Sequence, residues 1–300
     1  MILGEFEIEI IPAGKIEAGG REIAWDKVSL YSQPWFMQAV APGKGFYAKI
    51  SLENQPEKSA FFPFCGQKLG WKWRLFQPSF CQRFQAFTIQ TQEVDEIFWN
   101  AWFEFLEKKT WTGHWPFEIS ISGSDLSLFP ERLSKKTNYI FPLLDTLDEM
   151  LTKWSKSRKN KLNQTSQLQV QSLDNEAFLS EIQAFSNDGE SNWRPSEKEI
   201  KLLHQIHLSG KALSYRVVLE NEAISLVLLV DWGNRLHYLL GISNATGLKY
   251  EAVAFFFKNL MVMQKESNKV IDFEGSSLPG VASFFRSMGA EEELYGLWSK

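Results

Sequence analysis

Two acids close a short apolar run near the end of the chain. The stretch VIDFEGSS (270–277) reads as a buried strand that runs out at Asp272 and Glu274, followed by Gly275 and two serines. Strand alternation puts Ile271 and Phe273 on one face and Val270, Asp272 and Glu274 on the other. A carboxylate at a strand end can orient an amine or accept its proton, and Glu274 is the better placed of the two for that chemistry. Asp272 has a structural alternative, in which it caps the loop or pairs with Arg286 or Arg158. Ser276 can offer a hydrogen bond, and Ser277 can cap the helix that Pro279 opens. Arg286 is either a surface charge or an anion contact.

Arg158 is the second candidate. Leu147, Leu151, Trp154, Arg158 and Leu162 are spaced to share one helical face, which sets Arg158 in line with an apolar stripe. Its stem can snorkel so that the guanidinium reaches water, or the guanidinium can hold an anion in a cleft. Lys153, Lys156, Lys159 and Lys161 flank it, with no acid from Thr152 to Leu173. Such a run is usually a solvated face, but beside Arg158 it can also attract phosphate. Tyr238 alternates with His237 on a strand, so one of them faces a cleft and the other does not. A cleft tyrosine can donate to an oxyanion; a core tyrosine is the alternative. Trp193 and Arg194 lie in the polar loop SNDGESNWRP, where they can lid a cleft or simply be exposed. His204 and His207 share a helix face but lack a third ligand, and His114 is isolated, so no metal site is expected.

These residues need a scaffold. The chain has 300 residues, 44% of them hydrophobic, and a net charge of −4. That is enough for two ordinary domains or one large one. Mild acidity argues against coating DNA or RNA by bulk charge and leaves room only for a local basic patch. Cys65 and Cys81 fit no metal or redox motif and read as free thiols in a reducing compartment. The first residues lack a signal-peptide pattern, and no window is apolar enough for a membrane span, so a cytoplasmic protein is expected. Eight of the twelve tryptophans precede Pro116. They read as bulky core; a stacking surface for nucleic acid or sugar is the alternative, disfavoured because no basic stripe interleaves them.

The second half is the easier to divide. QLQVQSL alternates like a strand, and AFLSEIQAFS and SEKEIKLLHQIHLSG read as helices, the latter with a Ser196/Glu199 capping box. LSYRVVLE, AISLVLLV and RLHYLLGI form an antiparallel meander. A helix (250–264), the strand VIDF, a helix from Pro279 and a last strand ELYGLW follow. The order is β-α-α-β-β-β-α-β-α-β, and the first half gives a rougher copy. There VDEIFWNAWFEFLEKK is a long amphipathic helix with Ile97 among its buried residues, and Pro63 within KSAFFPF suggests an edge or a bulge. Between the halves, 146–164 reads as one helix opened by a Thr146/Glu149 capping box.

That element order resembles the GNAT acyltransferase fold. The tail IDFEGSSLPGVASFFRSMGAEEELY, the basic segment SKSRKNKL and the stretch WRLFQPSFCQRFQAF together resemble Fem-type proteins, tandem-GNAT aminoacyltransferases that build peptidoglycan cross-bridges. The resemblance spans nearly the whole chain as an order of elements and is sharp in those three stretches. It implies an α+β fold of two tandem GNAT-like units, each a mixed, mostly antiparallel sheet flanked by helices. The expected domains are 1–137 and 138–300, with the last strand able to pack across to the first. It places the acyl donor in a gap where the third meander strand and the Asp272 strand splay apart, and a site in a cleft between the units that Gln82 and Gln85 would face. Catalytic candidates are then Glu274, Asp272 and Tyr238. Substrate contacts are Arg158, Lys159, Ser276, Arg286, Trp193 and Gln82.

Two departures narrow the reading. The long coiled-coil arm of some Fem proteins is missing. The pyrophosphate loop of acetyl-CoA-dependent GNAT enzymes, [QR]-x-x-G-x-[GA], is replaced by NATGLK, in which only Gly247 survives, with Lys249 nearby. No cofactor is firmly implied; the donor substrate is an acyl-CoA or an aminoacyl-tRNA, and the acceptor a small molecule or peptide amine. The expected activity is acyl or aminoacyl transfer onto an amine. The alternatives are a non-catalytic binding module on a degenerate GNAT fold and a scaffold built on exposed indoles.

Overall fold

The computed structural model describes residues 2–19, 23–89, 93–119, 132–144, 146–162, 165–187, 191–265, 267–275 and 278–300. Ser276 and Ser277 lie outside the described residues. The chain divides into two compact units, Met1–Lys136 with Leu294–Lys300, and Thr137–Glu293.

The first unit contains β1 (Ile2–Leu3), β2 (Phe6–Pro12), α1 (Pro34–Val40), β3 (Gly45–Leu52), β4 (Gln55–Leu69), β5 (Lys72–Leu75), β6 (Phe87–Thr88), α2 (Glu96–Lys109), β7 (Thr110–Thr112) and β8 (His114–Glu118). Its sheet runs β1-β2-β3-β4-β5-β7, with β6 also on β4, and β5–β7 is its parallel pair. Helix α2 packs Trp99 and Trp102 against Phe62 of β4; the Trp102 and Phe62 rings stack at 5.3 Å. Trp73, Trp99, Trp102 and Trp115 are all buried, so most indoles of this unit supply core area. Ile97 is an exception to the helical reading: it is 46% exposed, because the buried face begins one residue later at Phe98. Pro63 sits inside β4, opposite Tyr47, in the stretch between the segments that pair with β6 and β5. No second strand needs an N–H there, and the Pro63 carbonyl accepts from the Trp115 indole at 2.8 Å.

The second unit takes up β9 (Leu133–Pro142) from Thr137 onward. Then come α3 (Leu147–Thr152), α4 (Lys156–Leu162), β10 (Leu168–Leu173), α5 (Asn175–Asn187), α6 (Glu197–Leu208), β11 (Ala212–Leu219), β12 (Glu222–Trp232), β13 (Arg235–Ser243), α7 (Ala245–Lys249), α8 (Ala252–Met263), β14 (Val270–Asp272) and α9 (Pro279–Ser287). The last strand, β15 (Glu291–Ser299), leads back into the first unit, where Trp298 pairs with Trp115 of β8. The sheet of the second unit runs β10-β11-β12-β13-β14-β9, antiparallel except for β13 beside β14. Glu220 and Asn221 both take positive φ between β11 and β12, the geometry of a tight hairpin turn. The capping box of α6 is present, with Ser196 and Glu199 satisfying each other's backbone N–H.

The single helix expected over 146–164 is two. Lys153 ends α3, and Ser155 starts α4 as its cap: the Ser155 hydroxyl accepts from the Arg158 N–H at 3.2 Å. The Ser155 N–H donates to the Ser287 carbonyl at 2.8 Å, so the break is tied to the end of α9. The helices cover an apolar core in which Trp154, Phe257, Phe273 and Phe285 are buried.

Candidate functional site

Strands β13 and β14 run side by side for only three pairs: Arg235–Val270, Leu236–Ile271 and His237–Asp272. Beyond His237 no strand among the described residues pairs with β13 on that side. Between Leu228 and Leu229 of β12 the opposite register also shifts, from Leu240 to Tyr238, so Leu239 is an extra residue. It makes a β-bulge where the strand loses its other neighbour. A cavity of about 430 Å³ opens here, lined by Tyr238, Leu239, Phe273 and Glu274 of the parted strands, by Phe284 and Phe285 of α9, and by Trp193 from the loop before α6. Asn192 ties that loop to the end of β13: its side-chain oxygen accepts from the Ser243 N–H at 2.9 Å, and its own N–H donates to the Ser243 carbonyl.

Of the three side chains that converge here, Glu274 lines the cavity, and His237 and Asp272 lie buried beside it. Glu274 Oε1 lies 3.2 Å from His237 Nδ1, and Asp272 Oδ2 lies 3.9 Å from the same nitrogen. Glu274 and Gly275 both take positive φ, +64° and +62°. For Glu274 this backbone conformation costs roughly 1–2 kcal/mol, and its side chain reaches the same His237 nitrogen as that of Asp272. Burial raises the Glu274 pKa well above the ordinary carboxylate value.

Asp272 is fully buried and structurally saturated. Its Oδ1 accepts from Asn138 Nδ2 at 2.9 Å and from the Glu274 N–H at 3.1 Å; its Oδ2 accepts from Arg235 at 2.8 Å. It caps the loop, as the structural reading allowed, but its arginine is Arg235 rather than Arg158 or Arg286. Arg235 also forks onto Glu293, with bonds of 2.7 and 2.9 Å. Burial opposes its charge, but the hydrogen bonds and charges of Glu293 and Asp272 outweigh it and raise its pKa. Together these donors hold the splayed end of β14 in place. His237, Asp272 and Glu274 are close enough to resemble a metal triad. The Asp272 oxygens are already engaged by Arg235 and Asn138, however, and a cation there would face a guanidinium, so the donor set does not suit a metal.

Tyr238 lines the cavity, and its ring lies edge-on to Phe257 at 5.0 Å. Its hydroxyl has no hydrogen-bond partner among the described residues and folds over Gly241, where an added Cβ would come within 1.5 Å of it. Burial pushes its pKa up, so the phenol keeps its proton.

The other candidates stand apart from this cluster. Arg158 is pinned behind the wall: Nε and Nη2 donate to Ser287 Oγ at 3.1 and 3.0 Å, Nη1 pairs with Glu251, and the guanidinium lies over Phe284 at 4.5 Å. Lys161 also pairs with Glu251, at 2.6 Å. The arginine neither snorkels freely nor stands open to an anion. Lys159 is half-buried on α4. Arg286 donates to the Tyr139 hydroxyl at 2.6 Å and reaches Glu292 at 3.4 Å. Gly247 borders the cavity, but its N–H donates to the Asn244 side chain at 2.8 Å, and a Cβ there would lie 2.1 Å from the Ile224 carbonyl. Lys249 is exposed, with its ammonium over Tyr250. The turn that carries a pyrophosphate in the resembled enzymes is therefore filled by the chain's own asparagine. In the first unit Gln82 is buried and bonded by Arg83, and Gln85 is bonded to Ser29 and Ser32.

Sequence reasoning missed the bulge at Leu239 and the supporting set Asn138, Arg235 and Glu293. It named His237 only as the alternate of Tyr238. A bulge leaves no mark in hydrophobic alternation when both flanking residues are apolar, as Leu239 and Leu240 are. The polar supports are scattered over a hundred and more positions of sequence.

No protein-family model matches this sequence, and no curated protein matches it. Solved structures do. The crystal structure of FemX superimposes with a TM-score of 0.63 at 12% identity, covering 97% of this chain and 96% of that one. A conserved protein of unknown function from Bacteroides thetaiotaomicron gives 0.58 at 10% identity, over 98% and 100% of the two chains. L-PGS from Bacillus licheniformis gives 0.52 at 11% identity, over 95% and 90%. At these identities the likeness is one of fold: the chain has the Fem-like, tandem-GNAT architecture, with two mixed sheets flanked by helices.

Proposed function

We propose that the second unit transfers an acyl or aminoacyl group onto an amine, with Glu274 as the proton acceptor. The supporting observation is the position of Glu274: a buried carboxyl with a raised pKa, beside His237, lining a cavity at the parting of β13 and β14. An amine must lose a proton as its nitrogen attacks the acyl carbon. A carboxylate whose pKa is raised by burial holds a proton more tightly, and is the stronger base for that task, than an exposed one. The C–N bond forms, the bond from the acyl carbon to the leaving oxygen or sulfur breaks, and the ammonium proton passes to Glu274. A bulged residue is unpaired in the ladder, and Leu239 lines the cavity, so its main chain is the candidate donor to the oxyanion. The protonated Tyr238 hydroxyl lies in the same cavity and can supply the leaving atom's proton.

The filled turn at Asn244–Gly247 speaks against tethering a pyrophosphate there, so an aminoacyl ester such as charged tRNA suits the site better than acyl-CoA. The acceptor is a small-molecule or peptide amine. Purified protein offered panels of charged tRNA and acyl-CoA with amine acceptors is expected to form amide product, and Glu274→Gln to lose most of it. Product formation untouched by Glu274→Gln would refute the assignment. The same filled turn also suits a second reading, a binding module without turnover; calorimetry showing a bound amine with no product under any donor would favour it.

A further inference from the structure

Apart from the cavity, the first unit carries an exposed aromatic cluster that nothing above employs. At the tip of the β4–β5 hairpin, Leu69 is 41% and Trp71 63% exposed, and on the neighbouring edge strand β7 Trp111 is 55% exposed. The two indoles are 6.1 Å apart. Lys72 holds its ammonium over both rings, at 4.7 and 4.5 Å, and Lys109 lies 5.7 Å from Trp71. Exposed indoles are costly to leave in water, and this unit buries most of the others.

We propose that this tip is a docking surface for an anionic lipid bilayer. Tryptophan and lysine together are the residues of the membrane–water boundary, where the indole sits at headgroup depth and the ammonium meets phosphate. The charges are arranged for it. Among the described residues Lys68, Lys72 and Lys109 have no carboxylate partner, while on α2 Glu104 pairs with Lys108 and Glu107 with Arg132 and Lys300. The tip is thus locally basic on a chain whose net charge is −4. Three apolar side chains, two at the hairpin tip and one on the strand beside it, are too few for the core of a stable protein interface, yet suffice for shallow insertion. Single-stranded nucleic acid is the competing ligand for aromatic–lysine clusters. The two rings are tilted by 56°, so they form no parallel slot for a base, and Lys72 already occupies a face of each. No helix among the described residues is long and apolar enough to cross a membrane, so the contact is peripheral.

The test is co-sedimentation of the full chain with phosphatidylcholine vesicles, with and without phosphatidylglycerol, alongside a single-stranded RNA oligonucleotide. Binding is expected only to the anionic vesicles, weakening as salt is added. Trp71→Ser with Trp111→Ser should abolish it while the circular dichroism spectrum is unchanged. Lys72→Ala and Lys109→Ala should each weaken it roughly fivefold. Quenching of tryptophan fluorescence by brominated lipid should fall sharply in the double Trp→Phe variant, since Trp71 and Trp111 are the exposed large indoles among the described residues. No binding to anionic vesicles at low salt, equal binding by the double serine variant, or capture of the RNA in place of vesicles would each overturn the proposal.

Discussion

Replacing Glu274 by Gln removes a carboxyl that folding forces towards its neutral form while keeping the side chain's shape. In the folded chain the side chain is 14% exposed, and burial raises its pKa well above the ordinary value. In the unfolded chain it titrates at about 4.3. The folded state therefore binds the proton more tightly than the unfolded one. This contribution to stability is fully present below the unfolded pKa and is lost as pH rises through the folded pKa. Across that window each pH unit costs ~1.4 kcal/mol for one proton. For a unit of this size that is a fall in Tm of about 3–6 °C per pH unit. His237 and Asp272, which face Glu274, are retained in the variant. Thermal unfolding of wild type and Glu274→Gln from pH 4 to pH 8 reads the effect. The two should nearly coincide at pH 4 and diverge upward, with the glutamine variant the more stable. If Glu274 accepts the amine proton, wild-type transfer should quicken over the same interval in which its stability declines. Two Tm curves running parallel throughout would refute the burial argument, and a gap of the opposite sign would refute the direction of the shift.

The remaining predictions concern what holds this site. Arg235→Met leaves the fully buried Asp272 carboxylate without its guanidinium, and should cost about 3–5 kcal/mol in urea unfolding. Adding Asp272→Asn should recover part of that loss, and no recovery would mean that Arg235 acts through Glu293 alone. Gly241→Ala places a methyl 1.5 Å from the Tyr238 hydroxyl; the displaced ring should lower stability by about 1–3 kcal/mol. Tyr238→Ala in the same chain should remove the added penalty of the methyl, which a double-mutant cycle would show directly.

The legible parts of the molecule were those governed by local chemistry. The capping box at Ser196 and Glu199, the meander with its tight turns, and the strand ending in two acids all depend on residues within a few positions of one another. Reading 146–164 as one helix failed because helical periodicity runs unbroken through Leu151, Trp154 and Arg158. What interrupts it is a single serine that caps a new helix and reaches Ser287, a tertiary partner. Arg158 on an apolar stripe was a sound observation with an unseen resolution, since Glu251 and Ser287 reach it from elsewhere in the chain. Asp272 was likewise correctly suspected of capping its loop, but its arginine lies 37 positions away on a strand that becomes its neighbour only through a parallel pairing. Parallel register and bulges are decided by long-range pairing, which alternation along one strand does not encode.

The return of Leu294–Lys300 to the first unit makes that unit discontinuous in sequence. A ribosome finishes the whole of Thr137–Glu293 before it delivers Trp298, a fully buried side chain of the earlier unit. The unit begun first is therefore completed last, and during synthesis its β8 edge and the surface awaiting that indole stay open longest. A protease cut near the boundary at 137 would likewise release no intact first unit, because its closing strand remains covalently attached to the second.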